Sequence, residues 1–390
     1  MQRLSPVPPS SLPAPAPEAA AHSGRLAARI RHDIADAGGW ISFAHFMSLA
    51  LHAPGLGYYS AGLHKFGRDG DFVTAPETGA LFGSVLACQA AQVLRAGVPD
   101  IVECGAGSGR LARDLLRALD ALDCLPQRYR ILETSADLRE RQQSLLAREA
   151  PAIAARIEWL DALPEALGAL VIANEVLDAM PVHLVAARDG GIDEIGVTAD
   201  GDAFALQPRA TGGALLDAAC RLPLAPGCTT EIGLAAQAFT QTLAAALHGG
   251  VAILVDYGFP AHEFYHSQRS EGTLMCHYRH HAHADPLCLV GLQDITAHVD
   301  FSAIAGAAAA GGATLLGYTD QARFLVNCGI TDVLAATPPD NATAYLPLAA
   351  QAQKLLSPAE MGELFKVIAF GRGLDIELSG FARGDRRHTL

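Results

Sequence analysis

The chain has 390 residues, half of them hydrophobic, and a formal net charge of −13. That size and composition fit a packed globular protein, and the negative balance argues against a nucleic-acid partner held by a general basic surface. No apolar run approaches the ~20 residues of a membrane helix, and the eight cysteines are scattered with no C-x-x-C, which suits reduced thiols in a cytosolic-type compartment.

In chain order, the stretch "MQRLSPVPPSSLPAPAPEAAA" is rich in Pro, Ala and Ser and has little to bury, so residues 1–22 are expected to be a disordered tail. It lacks the basic start and apolar stretch of a secretory signal, and Arg3 is too little for a convincing mitochondrial one. Residues 23–98 read as two short helices, a covering loop and a further helix: Leu26, Ile30 and Ile34 fall at helical spacing, and Ser42 is placed to cap "FAHFMSLALH". From 99 to 181, buried-strand runs ("DIVECG", "YRILET", "ARIEWL", "GALVIANE") alternate with helical stretches. That order predicts an α/β fold with a doubly wound, mostly parallel sheet. Residues 182–230 begin with alternating apolar and polar residues broken at "DGG" and "DGD", the pattern of an inserted antiparallel β-meander. The span 231–390 returns to the core pattern, with strands expected at "GGVAILVDYG", "GATLLGY" and "FKVIAFG".

The stretch "IVECGAGSG" ends a strand and opens a helix through Gly105, Gly107 and Gly109. Such a turn lets backbone N–H groups approach a ligand closely. The third glycine comes one residue too early for the dinucleotide pattern G-x-G-x-x-G. Glu103 precedes the turn and Glu133 ends the next strand, where its carboxylate is placed to accept both hydroxyls of a ribose. An acid at the mouth of the turn suits an ammonium or sulfonium better than a pyrophosphate. S-adenosylmethionine has a ribose, both cations and no phosphate. Leu160 and Asp161, after the third strand, are expected to meet its adenine, with Ser135 opening the helix after Glu133. Asn174 and Glu175 end the fourth strand at the same edge, followed by Asp178 and His183. Asp256 and Tyr257 end a later strand there, and Tyr257 and Tyr265 are candidates for an aromatic wall.

The stretches "GYYS", "KFGRDGDFVTAPETG", "VECGAGSGRLARDLL", "ANEVLDAMPVHLV", "LVDYGFPAHEFYHSQRSEGTL" and "GLQDITAHVDF" together resemble the MidA-like methyltransferases, the family of the mitochondrial complex I assembly arginine methyltransferase. The resemblance covers residues 25–372. It implies a class I (Rossmann-like) methyltransferase fold that binds S-adenosyl-L-methionine and methylates an accessible arginine on a protein, a respiratory complex I subunit in the mitochondrial case. By the same resemblance, Gly105, Gly107 and Gly109 are the cofactor loop and Glu133 the ribose acid. "DGDFVTAPE", with Thr74 and Glu77, covers the cofactor. The chain departs from the family's frequent "GPG" by carrying Ala106.

Glu175 and Asp178 are the first candidates to hold a guanidinium, Glu77 the next, and Glu175 or His183 is expected to relay the proton released. The histidines His277, His280, His281 and His283 match no zinc-ligand spacing, so no metal is expected. Asp294 is read as a helix cap or as part of an acceptor channel. Two other functions compete with arginine methylation: transfer to a small molecule, and an assembly chaperone that binds cofactor without turnover. The reading places the protein in the cytoplasm, or in the mitochondrial matrix for a eukaryotic source, and leaves a homodimer open.

Overall fold

The computed structural model describes residue 8, residues 11–60 and residues 74–390. Most of the expected covering loop, including "KFGRDGDFV", lies outside the described residues. Helix α1 runs over Pro17–Asp36, so residues 17–22 are helical and not part of a disordered tail. The reason is local: Pro17 sits at the first helical position, Glu18 lies in the first turn, and three alanines follow. Its buried face includes Leu26, Ile30 and Ile34, as the spacing predicts. A two-residue strand β1 (Ile41–Ser42) leads into α2 (Phe43–His52), where the Ser42 side chain accepts the His45 N–H at 3.1 Å. A short turn α3 (Ala75–Thr78) and helix α4 (Leu81–Arg95) follow.

The core begins with β2 (Asp100–Cys104), α5 (Arg110–Ala121), β3 (Tyr129–Leu132), α6 (Ala136–Glu149), β4 (Ile157–Leu160) and β5 (Ala169–Asn174). Then come the meander strands β6 (His183–Arg188), β7 (Gly191–Asp200) and β8 (Ala203–Ala210), with β9 (Thr229–Ile232). The chain continues with β10 (Gly250–Phe259), three short strands β11 (Met275–Tyr278), β12 (His281–His283) and β13 (Asp294–Thr296), then β14 (Val299–Asp300), β15 (Thr314–Asp320) and β16 (Phe365–Arg372).

The central sheet has the order β15-β16-β10-β5-β2-β3-β4, with β14 added to the end of β10. Its pairs from β10 to β4 are parallel, and β16 lies antiparallel between β10 and β15. β2 is buried along its whole length, and β10 is buried except at Tyr257 and Phe259. Both have helix-packed clusters on either face of the sheet. Chain order runs outward from β2 in both directions, so a crevice opens at the carboxyl ends of β2 and β5. The meander forms a separate antiparallel sheet that takes in β1, and it packs with α1 and α2 in a third cluster.

Candidate functional site

A cavity of about 900 Å³ lies at the carboxyl edge of β2, β3 and β5. Its floor is the glycine turn: Gly105, Gly107 and Gly109 have φ of +66°, +51° and +83°, the left-handed region that favours glycine. Gly105, Ala106, Gly107 and Ser108 line the cavity, whereas Gly109 caps α5 and packs against Gln142. Ala106 is accommodated without a positive φ.

Glu133 lines the cavity and is 7% exposed. Its carboxylate accepts the Ser135 N–H at 2.8 Å and the Gln142 side-chain amide at 3.1 Å. Burial raises its pKa, and the bonds from Ser135 and Gln142 partly oppose that. Glu103 also lines the cavity, but its carboxyl accepts the Tyr129 hydroxyl at 2.6 Å inside the sheet. Burial pushes it up to about 7 despite that bond.

The other end of the cavity is built on the turn after β5. Glu175 has φ +53°, a strained conformation for a residue with a side chain. Its N–H donates to the Val255 carbonyl at 2.8 Å. Its carboxyl accepts the Asn174 side-chain amide at 3.0 Å and the Ala75 N–H at 3.3 Å. Burial, then the neighbouring Asp178 charge, pushes Glu175 up to about 8. Asp178 is 5% exposed and burial brings it to about 6. Behind the turn Asp256, buried at the end of β10, accepts the N–H groups of Leu177 at 2.9 Å and Asp178 at 3.3 Å. Asn174 Oδ1 and Asp178 Oδ1 are buried without a hydrogen-bond partner, and both residues line the cavity.

Several expected site residues stand elsewhere. Asp161 is mostly exposed and pairs with Arg139 at 2.7 Å; neither it nor Leu160 lines the cavity. His183 sits on β6 with Nδ1 2.7 Å from Glu194, outside the cavity, so it cannot relay a proton there. Glu77 does line the cavity beside Thr74, but its carboxylate takes the Ser108 hydroxyl and the Arg110 guanidinium at 3.2 Å, which ties α3 to the glycine turn. Asp294 lies on β13 and accepts the Tyr59 hydroxyl at 2.9 Å, so it is not a helix cap; Asp300 fills that role for the helix Phe301–Ala310. Tyr257 packs on Phe365 and His298, and Tyr265 bonds Asp300 at 3.1 Å, so neither walls the cavity. His277 and His281 to His283 form a small hairpin; among the described residues no group of three His, Cys, Asp or Glu side chains is arranged to hold a metal ion.

The residues fit S-adenosyl-L-methionine. Glycine backbone and a buried carboxylate suit the nucleoside, Val176, Met180 and Phe239 offer an apolar wall for a purine, and the unpartnered buried oxygens suit a cation. Residues 85–319 match the model of the Methyltransf_28 family of S-adenosyl-L-methionine-dependent methyltransferases. This chain belongs to that family. Its cofactor is S-adenosyl-L-methionine. A crystal structure of a COG1565 superfamily member from Burkholderia thailandensis, bound to S-adenosyl-homocysteine, is 54% identical, with a TM-score of 0.95 over 97% of this chain and 100% of that one. The mouse protein arginine methyltransferase NDUFAF7, mitochondrial, is 31% identical over 85% of this chain and 81% of its own. The Drosophila melanogaster homologue is 29% identical over 94% and 89%.

Sequence reasoning gave no role to Val176, Met180 or Phe239, and saw Tyr59 only inside "GYYS". Tyr59 lines the cavity and accepts the Ser135 hydroxyl through its carbonyl at 2.9 Å. No local pattern marks it, because its partners lie 76 and 235 residues away.

Proposed function

We propose that this methyltransferase acts on an arginine side chain of a protein. The observation that carries this reading is the acidic end of the cavity, where Glu175 and Asp178 stand together and Asp178 Oδ1 has no partner. A guanidinium is always charged in water and presents paired N–H donors that match carboxylates. Relatives named protein arginine methyltransferases over most of the chain support it.

S-adenosyl-L-methionine supplies a methyl carbon already activated by its sulfonium. What the chain itself must do is then chiefly positioning. Glycine backbone and Glu133 hold the nucleoside; Glu175 and Asp178 hold the acceptor cation and turn one nitrogen toward the donor. After transfer that nitrogen loses a proton, and the Glu175 carboxylate, whose pKa lies near 8, takes it. The reaction is placed in the cytoplasm, or in the matrix for a mitochondrial source. A respiratory complex I subunit is the acceptor to test first, on the resemblance of the sequence motifs.

Radiolabelled methyl transfer into a lysate from a strain lacking this protein, followed by peptide mapping, tests the proposal. The expected result is label on an arginine of a protein band. Label confined to the small-molecule fraction would overturn it.

A further inference from the structure

The described residues that line the cavity include seven carboxyl side chains and no Lys or Arg. Two of the seven, Glu175 and Asp178, share the strained turn after β5, and Asp256 grips that turn from behind through the Leu177 and Asp178 N–H groups. Asp178 is almost fully buried, and its Oδ1 lacks any partner within the protein. A buried acceptor without a donor is costly unless a ligand supplies one. S-adenosyl-L-methionine and its demethylated product share nucleoside and amino-acid parts. They differ at sulfur by a methyl group and one positive charge. Contacts to the glycine turn and Glu133 treat the two alike, so only groups facing the donor end can tell them apart.

We propose that Glu175 and Asp178, held in place by Asp256, read the charge on the sulfur, so that the site favours the methylated cofactor over its product increasingly as pH rises. The inference rests on the family's cofactor and not on the identity of the acceptor. It gives the turn a second role, in product release, because after transfer the ligand has lost the charge that these acids hold.

The sign follows from the groups around Glu175. Asp178 on the same turn, Asp256 and Tyr257 on β10, Asp294 on β13 and Tyr59 from the turn before the covering segment all face this acid end. None is a cation. The Asn174 amide and the Ala75 N–H are the donors that favour the ionised form of Glu175. A cation brought to the turn favours that form further and displaces the proton. Below about pH 8 binding of the charged cofactor therefore releases a proton that binding of the neutral product does not. One released proton changes the affinity ratio by up to about tenfold per pH unit.

The test is calorimetric titration of the full chain with S-adenosyl-L-methionine and with S-adenosyl-homocysteine at several values between about pH 6.5 and 8.5. The affinity ratio is expected to shift toward the methylated ligand by about tenfold over that range. In Glu175→Gln the shift should vanish while product affinity stays within about threefold, because the glycine turn and Glu133 are untouched. Asp256→Asn should flatten the shift and leave product binding intact. Repeating the wild-type titration in buffers of different ionisation enthalpy counts the released proton directly and needs no variant. A ratio that stays constant across the pH range, or a shift that survives Glu175→Gln, would overturn the proposal. Turnover of Glu175→Gln on an arginine acceptor is a separate measurement, so the acceptor assignment can fail while this one stands.

Discussion

Gly107 shows how one missing side chain serves the cofactor. Its φ of +51° lies in the left-handed region, and its carbonyl accepts the Gln142 amide at 3.0 Å, which fixes the turn against α6. Gly107→Val places a β-branched side chain where the backbone must approach a ligand, in a conformation such residues avoid. The variant is expected to keep the fold, by circular dichroism, and to lose S-adenosyl-homocysteine binding in calorimetry. Glu175 is the matching residue at the other end. Glu175→Gln keeps the shape and removes the charge that holds the acceptor. The expected loss is about 2–4 kcal/mol, or roughly 30- to 1,000-fold in rate, with a smaller loss for Asp178→Asn. Unchanged turnover on the mapped acceptor would remove Glu175 from the mechanism.

At the scale of elements, the strands and the glycine turn were legible because their signals are local. Buried runs of four to six residues set off by helical stretches give β2 to β5, and the alternation in 182–208 gives the meander. What periodicity cannot give is the direction of a side chain after a strand ends. Asp161 and His183 both follow strand or loop positions near the ligand edge, yet Asp161 turns outward to Arg139 and His183 pairs across the meander with Glu194. Glu77 was expected at the chemistry and instead braces the glycine turn, because Ser108 and Arg110 bring donors to it from the start of α5. Ser135 illustrates a local signal with a distant consequence. It caps α6 through the Leu138 N–H at 3.4 Å and donates to Tyr59, joining the N-terminal helices to the ribose end of the site. Ser135→Ala should cost about 1 kcal/mol, the typical worth of such a cap, read as a lower midpoint in denaturant unfolding. Product affinity should fall by less than in Gly107→Val, since the Ser135 N–H still orients Glu133.

At the scale of the whole molecule, the buried acids make the stability of the ligand-free protein depend on pH in a direction opposite to that of ordinary surface carboxylates. Glu103 and Glu175 are held near 7 and 8 by burial, against an ordinary 4.5. Between the ordinary value and the folded value the native chain keeps the proton and the unfolded chain does not. These groups therefore contribute stability at low pH and lose it as pH rises through the folded values. His52 and His277 act with the opposite sign: burial lowers both, so they add stability as pH rises, but only up to about 6.5. Asp178, near 6, has largely titrated by then. The window from about pH 6.5 to 8.5 therefore isolates Glu103 and Glu175. The melting temperature of the ligand-free chain is expected to fall across that window by an amount worth a few kcal/mol at most. Glu175→Gln should remove the upper part of the fall, above about pH 7.5, and leave the Glu103 part in place. Adding S-adenosyl-L-methionine should raise the melting temperature more at pH 8.5 than at 6.5, because a bound cation offsets the charge that ionisation creates. Scanning calorimetry across the window measures all three slopes. A ligand-free melting temperature that rises with pH would mean that the acid end is already ionised in the folded chain, and that its carboxylates are solvated by water reaching the turn through the cavity.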